Sequence, residues 1–127
     1  MAYLYKKHYT RDEARALLPK VRQWLQRMTA LRRQTQHQEK SFSELLSQGN
    51  DLGGEGINRW IKALAELREV LIEFQARQIE IKDLDRGLID FPALIAGKEV
   101  FLCWEQDEDD IEFWHDIDAG YAGRERL

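Results

Sequence analysis

Residues Leu17, Val21, Trp24, Met28, Leu31, Thr35, Gln38, Phe42 and Leu45 follow one another at alternating steps of four and three. A stripe with that spacing returns to one side of a helix every two turns, which suits it to lie along another helix. A second such seam runs through Ile57, Trp60, Leu64, Leu67, Leu71, Phe74, Gln78 and Ile81. Between them "GNDLGGEG", with its four glycines, breaks the helix. Two seams joined by a short break predict an antiparallel helical hairpin, with helices over 10–48 and 57–81. Thr10 and Glu13 have the spacing of a capping box at the start of the first helix. Pro19 has no N–H to give the Arg15 carbonyl and crowds it, which predicts a kink between residues 15 and 19 or a fresh start near Pro19.

The first helix outruns the second. At ~1.5 Å per residue the two span roughly 54 Å and 37 Å. Residues 11–23 therefore overhang their partner, and Leu17, Leu18 and Val21 need other cover. The C-terminal third is the candidate. "GLIDFPA", "EVFLCWE" and "DIEFWHD" are short runs rich in β-branched and aromatic residues, punctuated by Gly87, Pro92, Gly97 and an acidic run. They predict a three-stranded antiparallel meander over 87–116, followed by a tail over 117–127. The fold class expected is α+β, mainly helical, in a single domain: a long helical hairpin followed by a small sheet.

Alternate residues of a strand face opposite sides. A symmetric turn over "QDED" sets Trp104 opposite Ile111, Leu102 opposite Phe113 and Val100 opposite His115. The core face then takes Ile89, Phe91, Val100, Leu102, Trp104, Ile111, Phe113 and His115. The other face takes Leu88, Asp90, Phe101, Cys103, Glu112, Trp114 and Asp116. In this register Cys103 and His115 point to opposite sides and cannot share a metal. "LCWEQDEDDIEFWH" reads as a hairpin with a solvated acidic turn, and Cys103 as a small half-buried hydrophobe rather than a nucleophile. Leu88, Phe101, Cys103 and Trp114 form an apolar strip away from the core, which predicts a homodimer interface. The competing cover for that strip is the N-terminal "AYLYKKHY", with Tyr3 and Tyr5 on one side.

Composition narrows the function. The chain has 127 residues, 43% hydrophobic and 33% charged, as in an ordinary soluble domain. No stretch resembles a secretory leader or reaches membrane-spanning length. The single cysteine allows no internal disulfide, so a cytoplasmic protein is expected, with no membrane contact. Residues 1–48 hold ten Lys and Arg against four Asp and Glu, whereas 49–127 hold nine against nineteen. The plainer account is that the two halves meet within the molecule or across a homo-oligomer. Nucleic-acid binding through Arg15, Arg22, Arg32 and Arg33 is the less favoured one. "GGEGINRW" precedes a helix but lacks the Lys-Ser/Thr of a phosphate-binding loop.

"EIKDLDRGLIDFPAL", "GKEVFLCW" and "FWHDIDAGYAGR", with "RDEARALLP" near the start, resemble the domain-of-unknown-function family 2203 (DUF2203). The resemblance implies a helical region followed by a motif-rich end. It carries no activity, substrate or catalytic residue. The acidic "EQDEDD" departs from it, standing where a shorter turn with Gly and Pro is expected.

Three functions remain. The first is a non-enzymatic interaction or structural protein acting as a homodimer, with no cofactor and no catalytic residue. The second is a metal-dependent or acid–base enzyme using Asp90, Asp116 and Asp118 with His115 nearby, since hard ions and proton transfer both want clustered oxygens. The third is the basic helix on nucleic acid. Gly87, Gly120 and Gly123 have the freedom for positive φ or close approach. Arg86 and Arg124 could pair with Asp90, Asp116 or Asp118. They either lock a tight C-terminus or offer an anion or docking surface.

Overall fold

A computed structural model describes residues 2–50 and 54–127. Helices α1 (Arg11–Ser47) and α2 (Gly54–Ala76) are followed by strands β1 (Glu80–Asp83), β2 (Leu88–Ile95), β3 (Lys98–Glu105), β4 (Phe113–Asp116) and β5 (Glu125–Arg126). A 3-10 turn at Tyr121–Gly123 precedes β5. The strands form one antiparallel sheet in the order β1-β2-β3-β4-β5. The sheet thus has five strands, not the expected three: β1 and β5 are additional. Residues up to Leu25 group with 73–127 in one unit, and Gln26–Ile72 form a second.

Helix α1 starts as its sequence dictates. Glu13 N donates to Thr10 Oγ1 at 3.1 Å, and Thr10 N donates to Glu13 Oε1 at 3.0 Å. The helix runs unbroken through Pro19 and does not start afresh there. Pro19 sits on its exposed side. Gly49 ends it at φ 77°, with Gly49 N bonded to Leu46 O and Asn50 N to Leu45 O. These two bonds satisfy carbonyls of the last turn. Residues 51–53, in the glycine-rich connection, lie outside the described residues.

Helix α2 begins three residues before the expected Ile57 and stops five before the expected Ile81. The cause is Gln78, which adopts φ 58° while Gln78 N bonds Gln75 O and Ile79 N bonds Phe74 O. That is the same helix stop, built on a glutamine where glycine is usual. Gln78 and Ile81 therefore leave the second seam, and Ile81 pairs with Ile89 in β1–β2.

In the second unit the helices run antiparallel. Phe42 meets Trp60 edge-on at 6.0 Å, and Arg27 pairs with Glu66. Met28, Leu31, Thr35 and Ala63 are buried there.

In the first unit the start of α1 covers one face of the sheet. Tyr9, just before the helix, packs edge-on against Phe91 at 5.3 Å, and the Arg22 guanidinium lies over Trp104 at 4.8 Å. The buried residues are Ala14, Leu18, Val21 and Leu25; Leu17 is only half-buried. The overhang is covered by the sheet as expected, but the helix is rotated toward Leu18. Leu18→Ala is therefore expected to cost about 2–5 kcal/mol. Leu17→Ala should cost only ~1 kcal/mol, in keeping with its partial burial. Equal losses in denaturant melts of the two variants would contradict this orientation.

The β2–β3 hairpin has the expected faces, pairing Ile89 with Trp104, Phe91 with Leu102 and Ala93 with Val100. Its two-residue turn holds Ala96 at φ 51° and Gly97 at φ 80°. Both positions need positive φ, which Asn-Gly meets best. An alanine there costs ~1–2 kcal/mol. Ala96→Asn should recover part of this, raising the denaturation midpoint by about 0.5–1 kcal/mol equivalent. An unchanged or lowered midpoint would argue against this turn.

The β3–β4 register differs from expectation by one residue. The pairs are Val100–Asp116, Phe101–His115, Leu102–Trp114 and Cys103–Phe113. The connection is not the symmetric four-residue turn. It is pinned from several sides: Trp104 Nε1 donates to Glu108 O at 2.9 Å, and Glu105 N to Glu108 Oε1 at 2.8 Å. Arg22 donates to Gln106 O and Glu108 O, and Arg15 to both Asp110 oxygens. Ile111 is buried from this loop, outside any strand. Beyond it, Phe113 and His115 turn to the face opposite the one expected, and Trp114 and Asp116 exchange with them.

Candidate functional site

The one-residue shift decides which side chains meet. The face away from α1 carries Leu88 and Asp90 from β2, Phe101 and Cys103 from β3, and Phe113 and His115 from β4. Asp90 is directly opposite Cys103, and His115 directly opposite Phe101. The expectation that Cys103 and His115 lie on opposite sides is overturned. Asp90, Cys103 and His115 are all buried, and one donor atom from each lies within 4.8 Å of the other two.

The imidazole is fixed at both nitrogens. His115 Nδ1 is 2.8 Å from the Asp116 carbonyl oxygen. A carbonyl can only accept, so Nδ1 carries a hydrogen and donates. Nε2 then faces Asp90 Oδ2 at 3.0 Å. A single proton lies between them, either on an imidazolium facing a carboxylate or on a carboxylic acid facing a neutral ring. Burial pushes Asp90 above the usual carboxylate range, against the downward pull of His115. Asp90 Oδ1 is buried without a well-formed hydrogen bond, and the weakly donating Cys103 thiol lies beside the carboxylate. The Cys103 thiol is pushed up to about 12, by burial first and then by the Asp90 charge. It is an S–H group at neutral pH and no nucleophile.

This cluster is the floor of a pocket of about 280 Å³. Leu88 and Phe101 form its sheet wall, Lys82 stands on the β1 side, and Ile117 to Tyr121 of the C-terminal segment form the opposite side. The exposed Asp118 is at this side too, although it bonds none of the floor residues. Asp116 turns away from the cluster, and Lys98 Nζ is 2.7 Å from its carboxylate. It contributes its backbone carbonyl to the site and not its side chain.

The strip expected as a dimer interface is taken apart by the same shift. Trp114 moves to the other face, and Leu88, Phe101 and Cys103 are buried within the chain itself. Part of the cover is the N-terminal segment, the competing reading. Tyr5 packs edge-on against Phe101 at 5.5 Å and donates its hydroxyl to Glu80 at 2.9 Å. Burial, then Glu80, raises that phenol to about 12. Glu99 holds the segment by accepting from Leu4 N and Tyr5 N, and its carboxylate is 2.7 Å from His8 Nε2.

Arg86 and Arg124 pair with neither Asp90, Asp116 nor Asp118. Arg86 binds Glu105 at 2.7 Å and Arg124 binds Glu108 at 2.5 Å. Both guanidiniums lie over the Tyr121 ring, at 4.3 and 4.6 Å, beside the pocket. Their charges are met by glutamates, so they lock the C-terminal segment onto the sheet. Among the glycines singled out, Gly87 takes positive φ, 63°, and Gly120 does not. Arg15 and Arg22, candidates for nucleic acid, are engaged by the acidic turn. The basic and acidic halves therefore meet here within one chain.

No helix among the described residues is long and apolar enough to cross a membrane. No curated protein and no solved structure matches the chain. A family model does: it covers residues 7–127, from the N-terminal segment through every strand and every residue of the pocket floor, and the chain belongs to the family described as uncharacterized conserved protein (DUF2203).

Proposed function

We propose that the protein binds a small molecule in the pocket behind the sheet and carries out chemistry on it, with Asp90 and His115 as the reactive pair of the floor and Cys103 beside them. The observation behind this reading is where the polar residues are buried. Buried ionisable groups are costly and add little net stability even when paired. A chain that keeps such a pair, Asp90 and His115, beneath an opening instead of deep between two layers, with a thiol beside it, has a use for it. The walls suit the apolar part of a ligand, and Lys82 offers a positive charge at the side.

A fragment library screened by amide shifts in two-dimensional NMR tests this. Binders should perturb Lys82, Phe101 and residues 117–121, and Ala119→Trp, which fills the opening, should abolish them. Hits scattered over the surface, or unaffected by Ala119→Trp, would contradict it.

Assembly through the helical hairpin is a second reading, favoured by a separate observation. Ile61, Leu64, Leu71 and Ile72 of α2 are 52%, 36%, 37% and 45% exposed. A stripe of that kind, on a unit with so few buried side chains, suits a second copy of the chain. Sedimentation should then give a dimer that Ile61→Glu dissociates; a monomer at all concentrations removes this reading.

A further inference from the structure

We propose that Asp90, Cys103 and His115 are the three protein ligands of one divalent transition-metal ion of the zinc class, with the fourth position open to the pocket. This deepens the pocket reading and rests on it for that open position.

Donor atoms around a tetrahedral ion at ~2.0–2.3 Å are separated by roughly 3.3–3.8 Å. The present separations, 3.0 Å between His115 Nε2 and Asp90 Oδ2 and no more than 4.8 Å for the others, need only small adjustment. The three ligands stand on adjacent strands, β2, β3 and β4, so their spacing is held by the hydrogen-bonded sheet rather than by loops.

Two further features point to a ligand. His115 donates Nδ1–H to a backbone carbonyl, which leaves Nε2, the nitrogen facing Asp90, as the one to bind a metal. Metal-bound histidines are oriented in this way by their outer partners. Asp90, 1% exposed, has one buried oxygen with no donor other than the weak one of the neighbouring Cys103 thiol, and an ion at the centre of the cluster would satisfy this carboxylate.

The donor set selects the class of metal. Magnesium and calcium take oxygen ligands, whereas a thiolate with an imidazole selects zinc-like ions. One thiolate and one carboxylate balance the charge of a dication. Binding is not a redox step. The Cys103 thiol proton and the proton held between Asp90 and His115 pass to solvent, and three metal–ligand bonds form. The remaining position would be filled by water or by a ligand in the pocket, as in zinc sites with three protein ligands.

Cobalt(II) added to the chelator-stripped full chain tests the proposal. One equivalent should bind, giving a near-ultraviolet thiolate-to-cobalt charge-transfer band and the visible bands of a four-coordinate ion. Zinc should displace it and magnesium should not. Cys103→Ser should remove the charge-transfer band. Asp90→Asn should weaken binding by more than the ~10–100-fold expected of an outer-sphere loss. His8→Gln should change nothing. The wild-type spectrum needs no variant to fold: binding without a charge-transfer band, or no binding at all, overturns the site. Fragment binding in the pocket with no cobalt spectrum would sink the metal and leave the pocket reading standing. A cobalt spectrum without fragment binding supports the metal and removes the other.

Discussion

Trp104→Ala should cost about 3–5 kcal/mol, a large part of the ~5–15 kcal/mol by which domains of this size are stable. The indole is completely buried on the α1 side of the sheet, opposite Ile89. It also joins two layers: Arg22 of α1 stacks on it, and its Nε1 holds the Glu108 carbonyl of the acidic turn. Deleting it leaves a cavity and loosens the turn that sets the β3–β4 register. Trp104→Phe should cost much less, because Arg22 still donates to the Glu108 carbonyl. Urea melts of the two variants check this. Similar losses would mean that the ring's volume contributes little and the hydrogen bond dominates.

The second large effect is at the pocket floor, in metal-free protein. His115→Leu should cost about 3–5 kcal/mol, since it strands Asp90 in the interior without its partner. Asp90→Leu alone should also destabilise, by leaving His115 Nε2 unpaired. The double variant Asp90→Leu/His115→Leu should cost less than either single change, because well-packed apolar replacements of a buried pair are often neutral or stabilising. That outcome identifies a pair retained for something other than stability. Losses that add in the double variant would make the two residues independent structural parts and remove the main support for a functional floor.

Much of this architecture is legible in the chain. The heptad spacing gives both helices, and the overhang of residues 11–23 requires the sheet as cover. Alternation gives both faces of β2 and β3. What is not legible turns on particular side chains. The left-handed Gln78 ends α2 early and frees Glu80–Asp83 to become β1, where a glycine would have announced the stop. β5 is two residues long and carries no strand pattern of its own. The acidic turn matters most. Apolar alternation alone favours setting Phe113 and His115 in the core. The turn instead buries Ile111 from outside the strand and is held by long-range bonds from Arg22 to Glu108 and from Arg15 to Asp110. Those partners are more than eighty residues apart in the chain, so local pattern does not reveal them. The same shift brings Asp90 and His115, two of the four polar residues singled out from sequence, together with Cys103. It leaves the Asp116 side chain on the other face and Asp118 outside the floor.

The register of β4 is therefore the claim on which the site depends, and side-chain NOEs from His115 measure it most directly. The ring of His115 should show contacts to Phe101, whose ring centroid is 5.5 Å away, and to the Cys103 β-protons. NOEs from His115 to Val100 and Leu102, with none to Cys103, would place it on the α1 side of the sheet and dissolve the site.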